Sequence, residues 1–216
     1  MRHIFLIGLS GSGKSTVGRI LARQLDKPLL DIDALIEHEY GDRISAIFAR
    51  QGEEYFRSFE SRILVQAAQE ARSAIIVTGG GIVVRPENRA IMAEQGVRIF
   101  LQVEPHIALQ RLFKQYEAEQ SQGRAPELRP LLAGPDPLAT LQSLLDARLA
   151  WYNEAELVCS TQGKSAEQVA AEIAFELMGR WPSEPAGAWR DLPDTLLEDL
   201  DQLRHASSPT PPVDDL

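Results

Sequence analysis

Five short apolar runs, rich in β-branched residues, recur along the chain: HIFLI (3–7), PLLDI (28–32), AIIVTG (74–79), RIFLQV (98–103) and ELVCS (156–160). Each is a continuous rather than an alternating hydrophobic stretch, the pattern expected of strands buried on both faces of a parallel sheet. The segments between them have helical spacing. Val17, Ile20, Leu21 and Leu25 fall on one helical face, and SAEQVAAEIAFELM (165–178) opens with Ser165 as a helix cap. Strand–helix alternation predicts an α/β fold in three layers, a parallel sheet with helices on both sides. Two stretches break the rhythm. EQSQGRAPELRPLLAGPD (119–136) is dense in Gly, Pro and polar residues and separates two helical segments, the second opened by Asp136 and Pro137 as cap and first turn. A loop of that length within a compact domain is expected to be a functional lid or an insert, and the lid is placed at about 115–136. From Trp181 onward the chain holds six of its 13 prolines. There SSPTPPVDDL is expected to be disordered, and DTLLEDLDQLRHA to form a short amphipathic helix.

Composition narrows the classes. A chain of 216 residues with 44% hydrophobic content suffices for one globular domain and is cramped for two. The tail from Trp181 has eight acidic and two basic residues, which leaves −3 of the total −9 for the first 180 residues. This balance argues against general nucleic-acid binding, which needs clustered cations. The single Cys159 excludes an internal disulfide, and its apolar neighbours predict a buried, inert thiol. No apolar run is long enough to span a bilayer, and the N-terminal IFLIGL runs straight into a glycine loop, unlike a secretion signal. A soluble cytoplasmic protein without membrane or nucleic-acid partners is expected.

The chemistry begins at Gly8–Ser15, GLSGSGKS, which matches G-x-x-x-x-G-K-[ST] in full. Its glycines, including Gly11 and Gly13, let backbone N–H groups converge on phosphate oxygens. Lys14 adds a positive charge at the β- and γ-phosphates, and the Ser15 hydroxyl is placed for Mg²⁺. A strand precedes the motif and a helix follows it, as the motif requires. The base-reading and switch motifs of GTPases are absent, as is the apolar strand ending in Asp-Glu of motor-type ATPases. What remains is a small-molecule kinase, in which a second substrate faces the γ-phosphate and a lid excludes water.

Candidates for the second site follow. LLDID ends a strand with Asp31 and Asp33, which on one strand would point to the same side. One carboxylate then serves the Mg²⁺ shell and the other a substrate hydroxyl; the competing role for either is to cap the next helix. In EEYFRSFES, Arg57 and Glu60 lie three apart on a helix, flanked by Phe56 and Phe59. The bland alternative there is a surface ion pair. Gly79, Gly80 and Gly81 follow a strand directly and are expected to let a ligand approach bare backbone. Arg111 and Arg148 lie on the helices before and after the lid, where surface solvation is the alternative for both.

Together these residues identify a family. From about residue 2 to 178 the chain resembles shikimate kinase in its GLSGSGKST loop, its DID pair followed by Ile36-Glu37, and in ISAIF, GEEYFRSFE, GGG, RPLLAGPD and ARLAWY, in that order. The resemblance implies a five-stranded sheet of order 2-3-1-4-5 and transfer of phosphate from ATP to the 3-hydroxyl of shikimate. It implies ATP held by Gly11, Ser12, Gly13, Lys14, Ser15 and Thr16, with Arg111 against the adenine and Mg²⁺ on Ser15 and through water on Asp31. Asp33 would bind the substrate hydroxyls. Arg57 and Arg148 would clamp the carboxylate, Glu60 would fix Arg57, and Gly79, Gly80 and Gly81 would line the ring, with Gly80 donating from its backbone. Ile44, Phe48 and Phe56 would form apolar walls. Lys14, Asp33 and the lid residue Arg129 would be catalytic. A monomer is expected, with the kinase unit at 1–179 and an extension at 180–216. The lid is longer than the resemblance leads one to expect, which leaves Arg124 and Arg129 as alternatives for the acting arginine. Gluconate kinase, whose substrate is also a polyhydroxylated carboxylate, is the neighbouring activity. A nucleotide- or shikimate-binding module without turnover is the non-enzymatic alternative.

Overall fold

A computed structural model describes residues 2–70, 72–121 and 135–180. The lid arginines Arg124 and Arg129, and the tail from Trp181, lie outside the described residues. All five expected strands form: β1 (His3–Ile7), β2 (Leu29–Asp31), β3 (Ile75–Val77), β4 (Gly96–Gln102) and β5 (Leu157–Ser160). They pair in parallel in the order β2-β3-β1-β4-β5, as expected. Strand β4 begins two residues earlier than its apolar pattern suggests, because Gly96 and Val97 pair with His3 and Ile4 of β1. The helices are α1 (Lys14–Gln24), α2 (Ile32–Tyr40), α3 (Ile44–Ala68), α4 (Pro86–Gln95), α5 (Pro105–Ser121), α6 (Pro137–Tyr152) and α7 (Ala166–Arg180). Helix α5 therefore continues into the stretch expected to be loop.

The central strand β1 explains why the sheet reads as unbroken hydrophobic runs. Ile4 and Leu6 point to one core with Val17 and Leu21 of α1, Leu25 just past its end, and Ile173 of α7. Phe5 and Ile7 point to the other, with Ile36, Phe56, Ile63 and Tyr152 of α2, α3 and α6. Burying each such side chain on both faces contributes about 1.5–3 kcal/mol. The expected caps are present: Asp136 Oδ1 accepts from Ala139 N at 2.9 Å, and Ser165 Oγ accepts from Gln168 N at 3.2 Å. Cys159 is buried, and burial pushes its thiol up to about 12, as expected of an inert cysteine. Among the described residues no helix is long and apolar enough to cross a membrane.

Helix α1 must lie close to the sheet to carry the glycine loop, and Gly18 sets that distance. A Cβ there would sit 2.5 Å from Val77 Cγ2 and 3.2 Å from Leu6 Cδ1. Val77 is β-branched and stiff at χ1, so it yields poorly. Gly18→Ala gains up to about 1 kcal/mol of helix propensity against about 1–3 kcal/mol of overpacking. The expected result is a net loss of stability in denaturant titrations, with an unchanged m-value.

Candidate active site

The loop between β1 and α1 is shaped by its glycines. Gly11 and Gly13 take φ of 82° and 95°, values that residues with a Cβ avoid, and Gly13 occupies the N-cap of α1. Gly13 supplies no side-chain cap, and its carbonyl accepts from Thr16 N at 3.1 Å and Val17 N at 2.9 Å; the loop thus leads into a helix N-terminus, an end that favours an anion. Lys14 is buried and crosses back over the loop, its Nζ donating to Gly8 O at 2.8 Å and Leu9 O at 3.0 Å.

Asp31 and Asp33 differ from the expected pair on one strand. Strand β2 ends at Asp31, which is the N-cap of α2, and Asp33 lies in the first helical turn. Asp31 Oδ1 accepts from Asp33 N at 3.1 Å and Ala34 N at 3.4 Å, while Oδ2 accepts from Ser15 Oγ at 3.1 Å. One carboxylate thus does both jobs that seemed to compete: one oxygen caps α2 and the other faces the phosphate loop. The helical turn, not strand alternation, sets the direction of Asp33.

The Arg57–Glu60 pair is no surface bridge. Arg57 Nη1 donates to Glu60 Oε2 at 2.7 Å, and the side chains are 14% and 1% exposed. Helix α3 bears them beyond a break at Gly52, whose φ is 81°. Burial raises the Glu60 pKa, opposed by the Arg57 charge, and nearby Asp33 adds to the rise. Burial alone would lower the Arg57 pKa, but the Glu60 and Glu53 carboxylates outweigh it and hold the pKa above its usual value. Glu60 Oε1 has no hydrogen-bond partner among the described residues.

The three glycines after β3 serve a purpose beyond the one expected. A Cβ on Gly79 would sit 2.8 Å from Glu60 Oε1 and 2.9 Å from Asp33 Oδ1, and one on Gly81 would overlap the Arg57 guanidinium. The space is taken by the protein's own charged groups. The Gly80 carbonyl accepts from Arg148 Nη1 at 3.2 Å and from Tyr152 Oη at 2.6 Å, both on α6. Arg148 is thereby brought into the site rather than left in solvent.

Two cavities adjoin these groups. One, of about 430 Å³, is lined by Gly11, Ser12, Gly13, Lys14, Ser15 and Thr16 and by Arg111, Thr161 and Lys164. The other, of about 550 Å³, is lined by Arg57, Glu60, Arg148, Phe48, Phe56 and Ile44. Asp33, Gly79 and Gly80 wall both. A third cavity of about 760 Å³, between α5, α6 and the ends of β4 and β5, includes none of the candidate residues.

A sequence model of the family described as shikimate kinase matches residues 10–178. This chain belongs to the shikimate kinase family. It is 40% identical over 179 residues to the shikimate kinase of Symbiobacterium thermophilum, spanning 82% of this chain and 97% of that protein. It is likewise 40% identical over 179 residues to that of Moorella thermoacetica, spanning 83% and 95%. Among solved structures it is similar to shikimate kinase from Acinetobacter baumannii in complex with shikimate, with a TM-score of 0.75, 30% identity, and 83% of this chain and 94% of that one covered.

Some residues of this candidate site escaped sequence reasoning. Thr161 holds Arg111 through its hydroxyl at 2.9 Å and its carbonyl at 2.7 Å, and Lys164 and Ser165 continue the same wall after β5. Their position just beyond the carboxyl end of a parallel strand was an available signal. Tyr152, four residues after Arg148 and so on the same helical face, was another. Gly79→Ala is expected to displace Asp33 and Glu60. Phosphoryl transfer should then fall more than about tenfold, while the unfolding midpoint moves little; an unaltered rate would mean that the crowding is relieved without consequence.

Proposed function

We propose that this protein transfers the γ-phosphoryl group of ATP to the 3-hydroxyl of shikimate, giving shikimate 3-phosphate and ADP. The observation behind this reading is that Asp33 walls both cavities, with a phosphate loop on one side and the Arg57–Arg148 pair on the other. Phosphoryl transfer requires a hydroxyl in line with the γ-phosphate and little other covalent chemistry. Arg57 and Arg148 hold the shikimate carboxylate, which sets the ring against Gly79–Gly81 and the apolar side chains of Phe48 and Phe56. The 3-hydroxyl then lies on Asp33, which orients it and accepts its proton as the new O–P bond forms and the bond to the β-phosphate oxygen breaks. The loop amides and Lys14 hold the phosphates, and Arg111 lies beside the base. Arg129 of the lid supplies charge to the transferring group.

Ser15 Oγ and Asp31 Oδ2, 3.1 Å apart beside the loop, are hard oxygen donors suited to Mg²⁺. They would hold it directly and through water, where it would neutralise charge on the β- and γ-phosphates. The protein is read as a monomer acting in the cytoplasm. Residues 1–179 are taken as the kinase unit, and a chain ending at Arg180 is expected to retain turnover.

A coupled assay with ATP and shikimate tests the assignment, with gluconate as the competing substrate. Phosphorylation of gluconate alone would overturn it. Asp33→Asn should lower kcat about 10²-fold or more while nucleotide affinity holds. Arg57→Ala should raise the KM for shikimate about 10- to 100-fold, the loss of one charge-assisted contact. Asp31→Asn keeps a side chain that caps as well as Asp, so stability should stay near wild type while the Mg²⁺ requirement rises.

A further inference from the structure

Tyr152 is the last residue of α6 and is fully buried, its ring stacked on Phe100 at 4.9 Å and 15°. Its hydroxyl donates at 2.6 Å to the Gly80 carbonyl, the same oxygen that accepts from Arg148 Nη1. A carbonyl oxygen has two lone pairs, so one acceptor serves both donors. Gly80 lies between Gly79, against which Asp33 and Glu60 are set, and Gly81, against which the Arg57 guanidinium is set. Gly80 also borders the phosphate loop, since a Cβ on it would sit 3.3 Å from Ser10 N. Glycines have the greatest backbone freedom of any residue, so three in a row hold a shape only if something outside them fixes it.

We propose that Tyr152 is a positioning residue for substrate recognition: its hydroxyl fixes the Gly80 carbonyl, and with it the glycine backbone on which Asp33, Glu60 and Arg57 are registered. The proposal rests on the shikimate kinase reading above. Tyr152 does not touch the substrate; it acts through Gly80 and through the share of that oxygen left to Arg148. Without the hydroxyl, the carbonyl is left to Arg148 alone. The guanidinium is drawn further toward the backbone and away from a carboxylate ligand. Burial raises the Tyr152 pKa, with Arg148 opposing, so the phenol keeps the proton that it donates.

The test uses Tyr152→Phe in the full chain, which removes one oxygen and keeps the ring on Phe100. The KM for shikimate should rise about five- to tenfold and that for ATP less than about twofold, because the phosphate loop has its own backbone contacts. A variant with 4-aminophenylalanine at position 152, which keeps a donor at the same point, should bring the shikimate KM back toward wild type. In combination with Arg148→Ala, the effect of Tyr152→Phe on KM should shrink, since the two side chains share one acceptor. A lowered melting temperature with an unchanged shikimate KM would make Tyr152 a packing residue only and overturn the proposal. So would failure of the amino variant to restore KM. Wild-type turnover measured alongside separates the two readings. No wild-type turnover of shikimate removes the substrate assignment and this role together, whereas normal wild-type turnover with an unaltered variant removes only the role of Tyr152.

Discussion

Three charged side chains converge on a backbone that has no side chains of its own. Asp33 and Glu60 approach Gly79, Arg57 approaches Gly81, and each occupies space that a Cβ would take. Burying a carboxylate such as Glu60 is costly unless a partner and hydrogen bonds repay it. The Arg57 bridge at 2.7 Å supplies that partner. The pair then presents a guanidinium at the edge of the cavity, and a carboxylate oxygen, Glu60 Oε1, that no described residue satisfies. Much of the fold serves to bring three elements, α2, α3 and the turn after β3, to this one point.

The sheet provides the framework for that meeting. Its order puts β1 beside β3, so the phosphate loop after β1 and the glycines after β3 are neighbours at the carboxyl edge. Strand β2 flanks β3 on the other side, and its end delivers Asp31 to Ser15 and Asp33 to both cavities. The cavity at the loop and the cavity at the arginines therefore share Asp33 as a common wall. Helix α6 closes the arrangement from the opposite side through Arg148 and Tyr152.

The same economy appears in Asp31. Its two oxygens divide between ending a strand by capping α2 and facing Ser15 at the phosphate loop. Cap and ligand-facing roles are compatible because a carboxylate accepts from several directions at once. The local turn that the cap enforces is also what takes Asp33 out of the strand pattern and into the wall of both cavities.

Much of this was legible in the residues alone. The unbroken apolar runs of β1 and β4 require burial on both faces, and GLSGSGKS between a strand and a helix requires a phosphate cradle, because both depend on local spacing and composition. The identities of Arg57, Glu60 and the triple glycine were visible for the same reason. What local spacing does not contain is depth and direction. It could not distinguish a surface ion pair from the buried Arg57–Glu60 bridge, because burial is decided by the elements that pack from elsewhere in the chain. It put Asp31 and Asp33 on one strand, whereas capping of α2 by Asp31 ends the strand first. It passed over Tyr152 and Thr161, whose partners Gly80 and Arg111 lie 72 and 50 residues away. Sequence determined which groups this protein has and which runs become strands of the sheet. Only the tertiary structure decided which of them share an oxygen, because such contacts join residues far apart along the chain.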